Sequence, residues 1–124
     1  MPGGLTTYGA DNIIGTAVPT TMYMKFHLAD PGVDALFSPA LHTTRKAMDF
    51  IPADLPAKFW NDDQADWPGI AANETIPWFS LWDAVAAGNP WFVGEFDPVM
   101  ELVNSSTASL AAHRCQIYVT PYEP

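Results

Sequence analysis

Twelve prolines and eight glycines are spread along the 124 residues of this chain, and they limit its folding more than any other feature. Proline removes a backbone donor and clashes inside a helix, and glycine weakens a helix, so few windows are long enough for a stable one. Both residues suit the turns that join short strands. The sequence therefore predicts one mainly β domain over residues 1–124, an antiparallel β-sandwich or barrel.

One short helix is expected within the N-terminal segment 1–20. Thr6 or Thr7 is a suitable N-cap, and the apolar residues that follow recur until Pro19 ends the pattern. The predicted domain thus begins with a helix before its first strand.

Alternating side chains identify the best strand candidates. In residues 22–28, apolar side chains on one face alternate with Tyr23, Lys25 and His27 on the other. Residues 75–83 are apolar on both faces, which predicts a central strand with a core on one side and a second layer or a neighbouring subunit on the other. Further strands are expected at 43–50, 65–67, 91–96, 99–103 and 110–120, and the turn at 87–90 is expected to make a hairpin.

Residues 51–73 follow no sustained pattern and are expected to form one long Pro-rich loop or arm. Its prolines cannot donate to a strand ladder, and aromatic side chains of the kind it carries dominate interface hot spots. We expect the part of it over 51–67 to lie outside the sandwich and to contact a neighbouring subunit, with a glycan as the alternative ligand of its two indoles. The interface residues that the sequence predicts are Leu36, Phe37, Phe59, Trp60 and Trp67.

Charge and hydropathy exclude two classes of partner. Fourteen acidic against five basic residues give a net charge of −9, which repels the phosphates of nucleic acid. No window approaches 18 consecutive apolar residues, and the first residues lack the basic region and apolar run of a signal peptide, so we expect a protein made in a cytoplasm with no membrane partner. Only 15% of the residues are charged, which favours an apolar surface and assembly with itself.

No catalytic constellation occurs in the sequence. It has no Gly-rich phosphate loop, no Gly-x-Ser-x-Gly motif and no Cys-x-x-Cys motif. The single Cys115 has no cysteine to pair with inside the chain and lies in a strand-like run, which indicates an inert thiol. We expect no enzymatic activity and no cofactor.

Two groups of side chains are candidate metal ligands. His27, His42 and His113 lack the spacing of a zinc site and are expected to make ordinary hydrogen bonds. The three aspartates within 62–66 lack the alternating spacing and the distal glutamate of a calcium loop, which favours a solvated acidic turn. No metal site is predicted.

Two sets of short motifs resemble a known family. The sequence FHLADPG at 26–32, followed by TRKAMDF at 44–50, is similar to the strand, turn and strand that open the small tail-fibre-like or minor tail proteins of phages infecting actinobacteria. The sequences SLWDA at 80–84 and GN at 88–89 resemble a second strand and turn of that family. With an N-terminal helix before the first strand, the resemblance covers about residues 5–120.

The resemblance implies a non-enzymatic virion component, made in the host cytoplasm and used in several copies. Its expected partners are itself, with a trimer as a reasonable closed assembly, and other virion proteins. A capsid decoration protein is the alternative within the structural class. A module that binds host cell-wall carbohydrate is the alternative from a different class, and it would use Trp60 and Trp67.

Overall fold

The computed structural model describes residues 3–6, 19–52 and 58–118, which form nine strands and contain no helix. The helix predicted within segment 1–20 falls mainly on residues 7–18, outside the described residues, and Gly3–Leu5 before them is a strand. The strands are β1 (Gly3–Leu5), β2 (Thr21–His27), β3 (Lys46–Pro52), β4 (Lys58–Asn61), β5 (Ala65–Trp67), β6 (Glu74–Trp82), β7 (Pro90–Leu102), β8 (Ala108–Leu110) and β9 (Gln116–Tyr118).

Seven of these strands form one antiparallel sheet in the order β1, β7, β6, β2, β3, β4, β9. The sheet curls into a nearly closed, barrel-like form, and β5 and β8 make a separate two-stranded sheet. All pairings are antiparallel, so the predicted mainly β antiparallel fold is confirmed.

The main core lies on one face of the central strands. The alternation in β2 buries Met22, Met24 and Phe26, as the sequence predicts. The register between β2 and β6 places Leu81 opposite Met24 and Phe79 opposite Phe26, so these side chains share one interior. Trp67 of β5 lies over this interior, with its ring 4.7 Å from that of Phe26.

The opposite face of the central strands is also covered. Trp82 of β6 and Val93 of β7 form a second buried cluster with Ala35, which comes from the loop after β2. Tyr23 and Trp78 pack against this cluster and are partly buried. The prediction that β6 has apolar layers on both sides is confirmed, and in this chain a loop supplies part of the second layer.

The prediction that this segment forms an arm outside the sandwich is wrong for residues 58–67. β4 pairs with β3 on one side and β9 on the other, and β5 pairs with β8. The ladders give hydrogen-bond partners to the backbone groups of these strands. Pro52 lies at the end of β3 and Pro68 just after β5, where no further ladder donor is needed. The predicted short strand at 65–67 is confirmed.

The predicted strand over 110–120 is broken in the structure. β8 ends at Leu110 and β9 begins at Gln116, while residues 119–120 lie outside the described residues. Between them His113 takes a φ of 66°, and its N–H donates to the carbonyl of Asn61 at 2.9 Å. The Asn61 side-chain oxygen accepts from Cys115 N at 2.9 Å, so a buried asparagine, not a strand partner, shapes this turn.

The predicted break at Asp97 and Pro98 is absent from β7, which runs without interruption from Pro90 to Leu102. The ladder with β6 shifts register between Ile76 and Trp78, opposite this point. A bulge of this kind is where a sheet tolerates proline, because no ladder hydrogen bond is lost there.

Candidate interaction surface

The most apolar exposed part of the described chain is the segment 28–41 between β2 and β3, called the apolar loop from here on. Leu36 is 69% exposed, Phe37 66% and Leu41 76%. Leu28 and Val33 are also exposed, and residues 35–41 contain no charged side chain. Large apolar side chains gathered in this way mark surfaces that meet a partner.

Backbone hydrogen bonds close the apolar loop on itself and hold its C-terminal end to the sheet. Leu28 N donates to Ser38 O within the loop at 2.8 Å, and Ala40 N donates to Phe26 O of β2 at 3.1 Å. The Glu74 carboxylate of β6 accepts from the next amide, Leu41 N, at 2.8 Å. The loop therefore has a defined shape although its outer side chains are exposed.

The loop also holds left-handed backbone conformations. Gly32 has a φ of 81°, which glycine adopts readily, but Ala35 and Ser38 have φ values of 57° and 53°. Ala35 keeps this conformation while its methyl group is buried against Trp82 and Val93. Backbone strain that persists at an exposed loop is typical of binding surfaces, where the surrounding structure fixes the chain.

A chain of hydrogen bonds connects the second buried cluster to the tip of the loop. Trp82 Nε1 lies 2.7 Å from Ser80 Oγ, which lies 2.7 Å from His27 Nε2. His27 Nδ1 lies 2.9 Å from the carbonyl oxygen of Phe37. His27 and Ser80 are fully buried, so the backbone of Phe37, the aromatic residue of the loop, is anchored by a largely buried polar network.

The environment of His27 favours its neutral form. Burial lowers the pKa of His27 to about 4, the hydrogen bond to Phe37 opposes this, and the charges of Lys25 and Arg45 lower it further. The expectation that His27 makes ordinary hydrogen bonds is confirmed.

Arg45 closes the second cluster from the side of β3. Its guanidinium lies 4.1 Å from the centroid of a Trp82 ring, in a cation–π contact. Its Nη1 donates to the carbonyl oxygens of Ala84 at 3.0 Å and Ala87 at 2.7 Å. The Arg45 side chain thus connects the start of β3 to the β6–β7 turn and covers the Trp82 indole, which begins the chain of hydrogen bonds.

The structure separates the five predicted interface residues. Leu36 and Phe37 lie together on the apolar loop, whereas Phe59 and Trp60 are partly buried in β4, where Trp60 stacks on His113 with ring centroids 4.3 Å apart. Trp67 is 1% exposed and belongs to the core, so its prediction as a surface contact is corrected. A carbohydrate platform of two indoles is not formed, because one of the two indoles is inside.

Cys115 is a buried free thiol. Burial raises its pKa to about 12, which supports the prediction of an inert thiol. Within the ranges that the structure describes, no three His, Cys, Asp or Glu side chains are grouped so as to hold a metal ion. Among the same residues, no helix is long and apolar enough to cross a membrane.

A cleft of about 380 Å³ lies between β7 and the turn before β9. Phe96 and Leu110 form its apolar wall, and Asp97 and Arg114 bring opposite charges to its rim. It contains none of the predicted interface residues, so it is a feature separate from the apolar loop.

Sequence reasoning identified Leu36 and Phe37 but missed the support beneath them. Ser80 lies 53 positions from His27, and only the antiparallel register of β2 and β6 makes them neighbours. The usable signal was Ser80, a polar residue on a strand that is apolar on both faces, since a buried hydroxyl needs a partner.

The fold and the exposed loop place this protein in the class of small antiparallel β domains that present a fixed apolar loop. The model of a protein family described as podophage GP4 fiber I protein gp80 matches residues 10–118, most of the chain, and the chain belongs to this family. The curated proteins contain no match to it. It is therefore a tail-fibre-like structural protein of a phage and a component of the virion.

This assignment confirms the resemblance to tail-fibre-like phage proteins that the short motifs indicate. It also supports association with other virion proteins. An actinobacterial host stays a prediction.

Proposed function

We propose that this protein is a non-enzymatic subunit of the phage fibre that assembles in several copies through the apolar loop. The observation that carries the proposal is the exposure of Leu36 and Phe37 on a loop whose backbone is fixed. A fixed loop loses little conformational entropy on binding, so most of the free energy gained by burying its side chains is available for association.

Charge indicates where two copies of the chain would meet. The net charge of −9 makes two copies repel each other over most of their surfaces. Residues 35–41 carry no charge, so contact at this part of the loop adds the least repulsion. Closed symmetry among identical copies is the usual arrangement, and a trimer or another small ring satisfies it.

We place the protein in the tail of the particle, and the family match supports this part of the proposal. A fibre family supports a place in the tail, as a tail-fibre or minor tail component, over the alternative of capsid decoration. A component at that position also contacts other virion proteins, and the remaining exposed apolar side chains, such as Val85 and Val103, lie outside the apolar loop and are available for them.

Sedimentation velocity of a double variant, Leu36→Ser with Phe37→Ser, tests the proposal. We expect the wild-type protein to sediment as an oligomer and the double variant as a monomer with unchanged β-type circular dichroism. The matched control is Val85→Ser with Val103→Ser, which removes two exposed apolar side chains elsewhere and is expected to leave the oligomer intact. A wild-type monomer at tens of micromolar, or equal effects of the two double variants, would overturn the proposal.

A further inference from the structure

We propose that the hydrogen-bond chain from Trp82 through Ser80 and His27 to Phe37 is an acid-sensitive latch. In this proposal, protonation of His27 releases the apolar loop from the sheet while the sheet stays folded. The consequence for assembly, loss of self-association in acid, rests on the proposed function. The latch itself rests on the geometry beneath the loop.

The partners of His27 fix the position of every proton in this chain of hydrogen bonds. The Phe37 carbonyl can only accept, so His27 Nδ1 carries the proton between them. Neutral His27 Nε2 then accepts from the Ser80 hydroxyl, and Ser80 Oγ accepts from the Trp82 indole N–H. Each donor has one acceptor, and a second proton on the His27 ring would leave the Ser80 hydroxyl without the acceptor it has now.

Protonation of His27 removes the acceptor of the Ser80 hydroxyl. The new Nε2–H points at Ser80 Oγ, which has lone pairs for both His27 and Trp82, but the Ser80 hydroxyl proton can no longer donate to His27. His27 and Ser80 have no exposed surface through which water replaces that partner. The charged imidazolium is also buried, so the proton is bound only if the local structure opens.

The loop side of the network opens more easily than the sheet side. β2 and β6 are joined by a regular ladder that runs through His27 and Trp78, and β6 is joined to β7 by the longest ladder of the sheet. The loop is held to the sheet by separate contacts, the Ala40 amide, the Phe37 carbonyl and the buried Ala35 methyl group, and it contains strained residues. A segment with fewer bonds and stored strain unfolds locally before a central ladder does.

Several charged groups face this network from the elements around it. Lys25 of β2 and Arg45 before β3 repel an added proton, so a lower pH is needed to protonate His27. Glu95 of β7 lies opposite Trp78 in the ladder, on the same face of the sheet as His27 but two strands away from it. The loop adds Asp30, whose Oδ1 accepts from Gly32 N at 2.9 Å.

Two carboxylates also hold the loop, so the test must separate them from His27. Asp30 and Glu74 accept from loop amides. The variant His27→Asn isolates the imidazole. Its side-chain amide nitrogen takes the place of Nδ1 and still donates to the Phe37 carbonyl, but it does not titrate.

Hydrogen exchange at pH 7, 6, 5 and 4.5, corrected for intrinsic rates, is the measurement. We use the monomeric background with Leu36→Ser and Phe37→Ser, which keeps the Phe37 backbone carbonyl. The protection of the Leu28 and Ala40 amides is expected to fall about tenfold per pH unit below pH 6.5, because one proton is bound on opening. Leu81, in the β6–β7 ladder, is expected to keep its protection. In the His27→Asn variant, any acid-dependent loss of protection that remains in the loop comes from groups other than His27.

Three results would overturn the latch. They are parallel loss of protection at Leu28 and Leu81, an equal acid response in wild type and His27→Asn, and no response at all. If His27→Asn does not fold, ¹⁵N shifts of the wild-type imidazole decide, since a ring that titrates near pH 6.5 without loop opening contradicts the proposal. A protein that is monomeric at pH 7.5 overturns the proposed self-association but leaves the exchange result standing.

Discussion

The ring of Phe79 in β6 lies directly against the backbone of Gly94 in β7. A Cβ atom added at Gly94 would come within 2.4 Å of Phe79 Cζ and 2.8 Å of Cε1. The two residues are opposite each other in the ladder, on the face that holds the main core. The glycine is therefore required by the size of the opposing ring and not by a turn.

Gly94→Ala is expected to lower the free energy of unfolding by about 1–3 kcal/mol, because the methyl group overpacks a core that has no space for it. Urea denaturation of the two proteins measures the difference. Phe79→Leu in the Gly94→Ala background provides the control, since it removes the ring that the methyl group meets. The two changes should cost less together than the sum of each alone, and strict additivity would contradict the assigned contact.

Trp67→Phe is expected to be far milder than Trp67→Ala. Trp67 is fully buried, so truncation to alanine removes a large ring and should cost about 3–5 kcal/mol. Its Nε1 is buried without a hydrogen-bond partner in the described part of the chain, so phenylalanine removes an unsatisfied donor and offsets part of the lost volume. Thermal denaturation of both variants tests this, and similar losses for the two would show that the indole N–H has a partner.

Arg45→Lys is expected to lower the free energy of unfolding by about 1 kcal/mol although the charge is kept. Lysine lacks the planar group that stacks on Trp82 and cannot reproduce both carbonyl contacts in the β6–β7 turn. Lys46→Arg, a change at the neighbouring position, is the control and should be nearly neutral. Unchanged stability of Arg45→Lys would show that a positive charge alone is sufficient.

Stability should fall as the pH drops from about 6.5 towards 4. The pKa of His27 is about 4 in the folded protein against an ordinary value of 6.5, so in this window the unfolded chain binds a proton that the folded one excludes. The contribution is complete above pH 6.5, declines by up to about 1.4 kcal/mol per pH unit, and stops changing below the folded pKa.

Urea denaturation across this pH range measures the effect, and the His27→Asn variant supplies the carboxylate background. The wild-type and variant curves should converge in acid, because the variant lacks only the titration of His27. Parallel curves would mean that His27 titrates alike in the folded and unfolded states.

The sequence alone was sufficient for the local elements. Alternation identified β2, the two apolar faces identified β6, and the turn at 87–90 identified the hairpin to β7, because each of these signals lies within one stretch of chain. The exposure of Leu36 and Phe37 was also predictable, since an apolar stretch between two turn-rich segments has few neighbours to cover it.

Tertiary structure decided what each remaining aromatic residue does. Trp60 and Trp67 lie in similar Pro-rich surroundings in the sequence, yet Trp67 reaches Phe26 in the core and Trp60 stacks on His113. Which of them is buried depends on the pairing of β5 with β8 and of β4 with β9, between segments more than forty positions apart.

The polar network beneath the apolar loop is a product of the same kind of pairing. His27, Ser80 and the Phe37 carbonyl come from three segments, and each of them is an ordinary residue of a strand or loop in the sequence. A hydrogen bond requires two groups within about 3 Å of each other, and no local pattern specifies that distance for residues so far apart. The sequence therefore determined β2, β6, the hairpin to β7 and the apolar loop, and the register of the sheet decided how the loop is held.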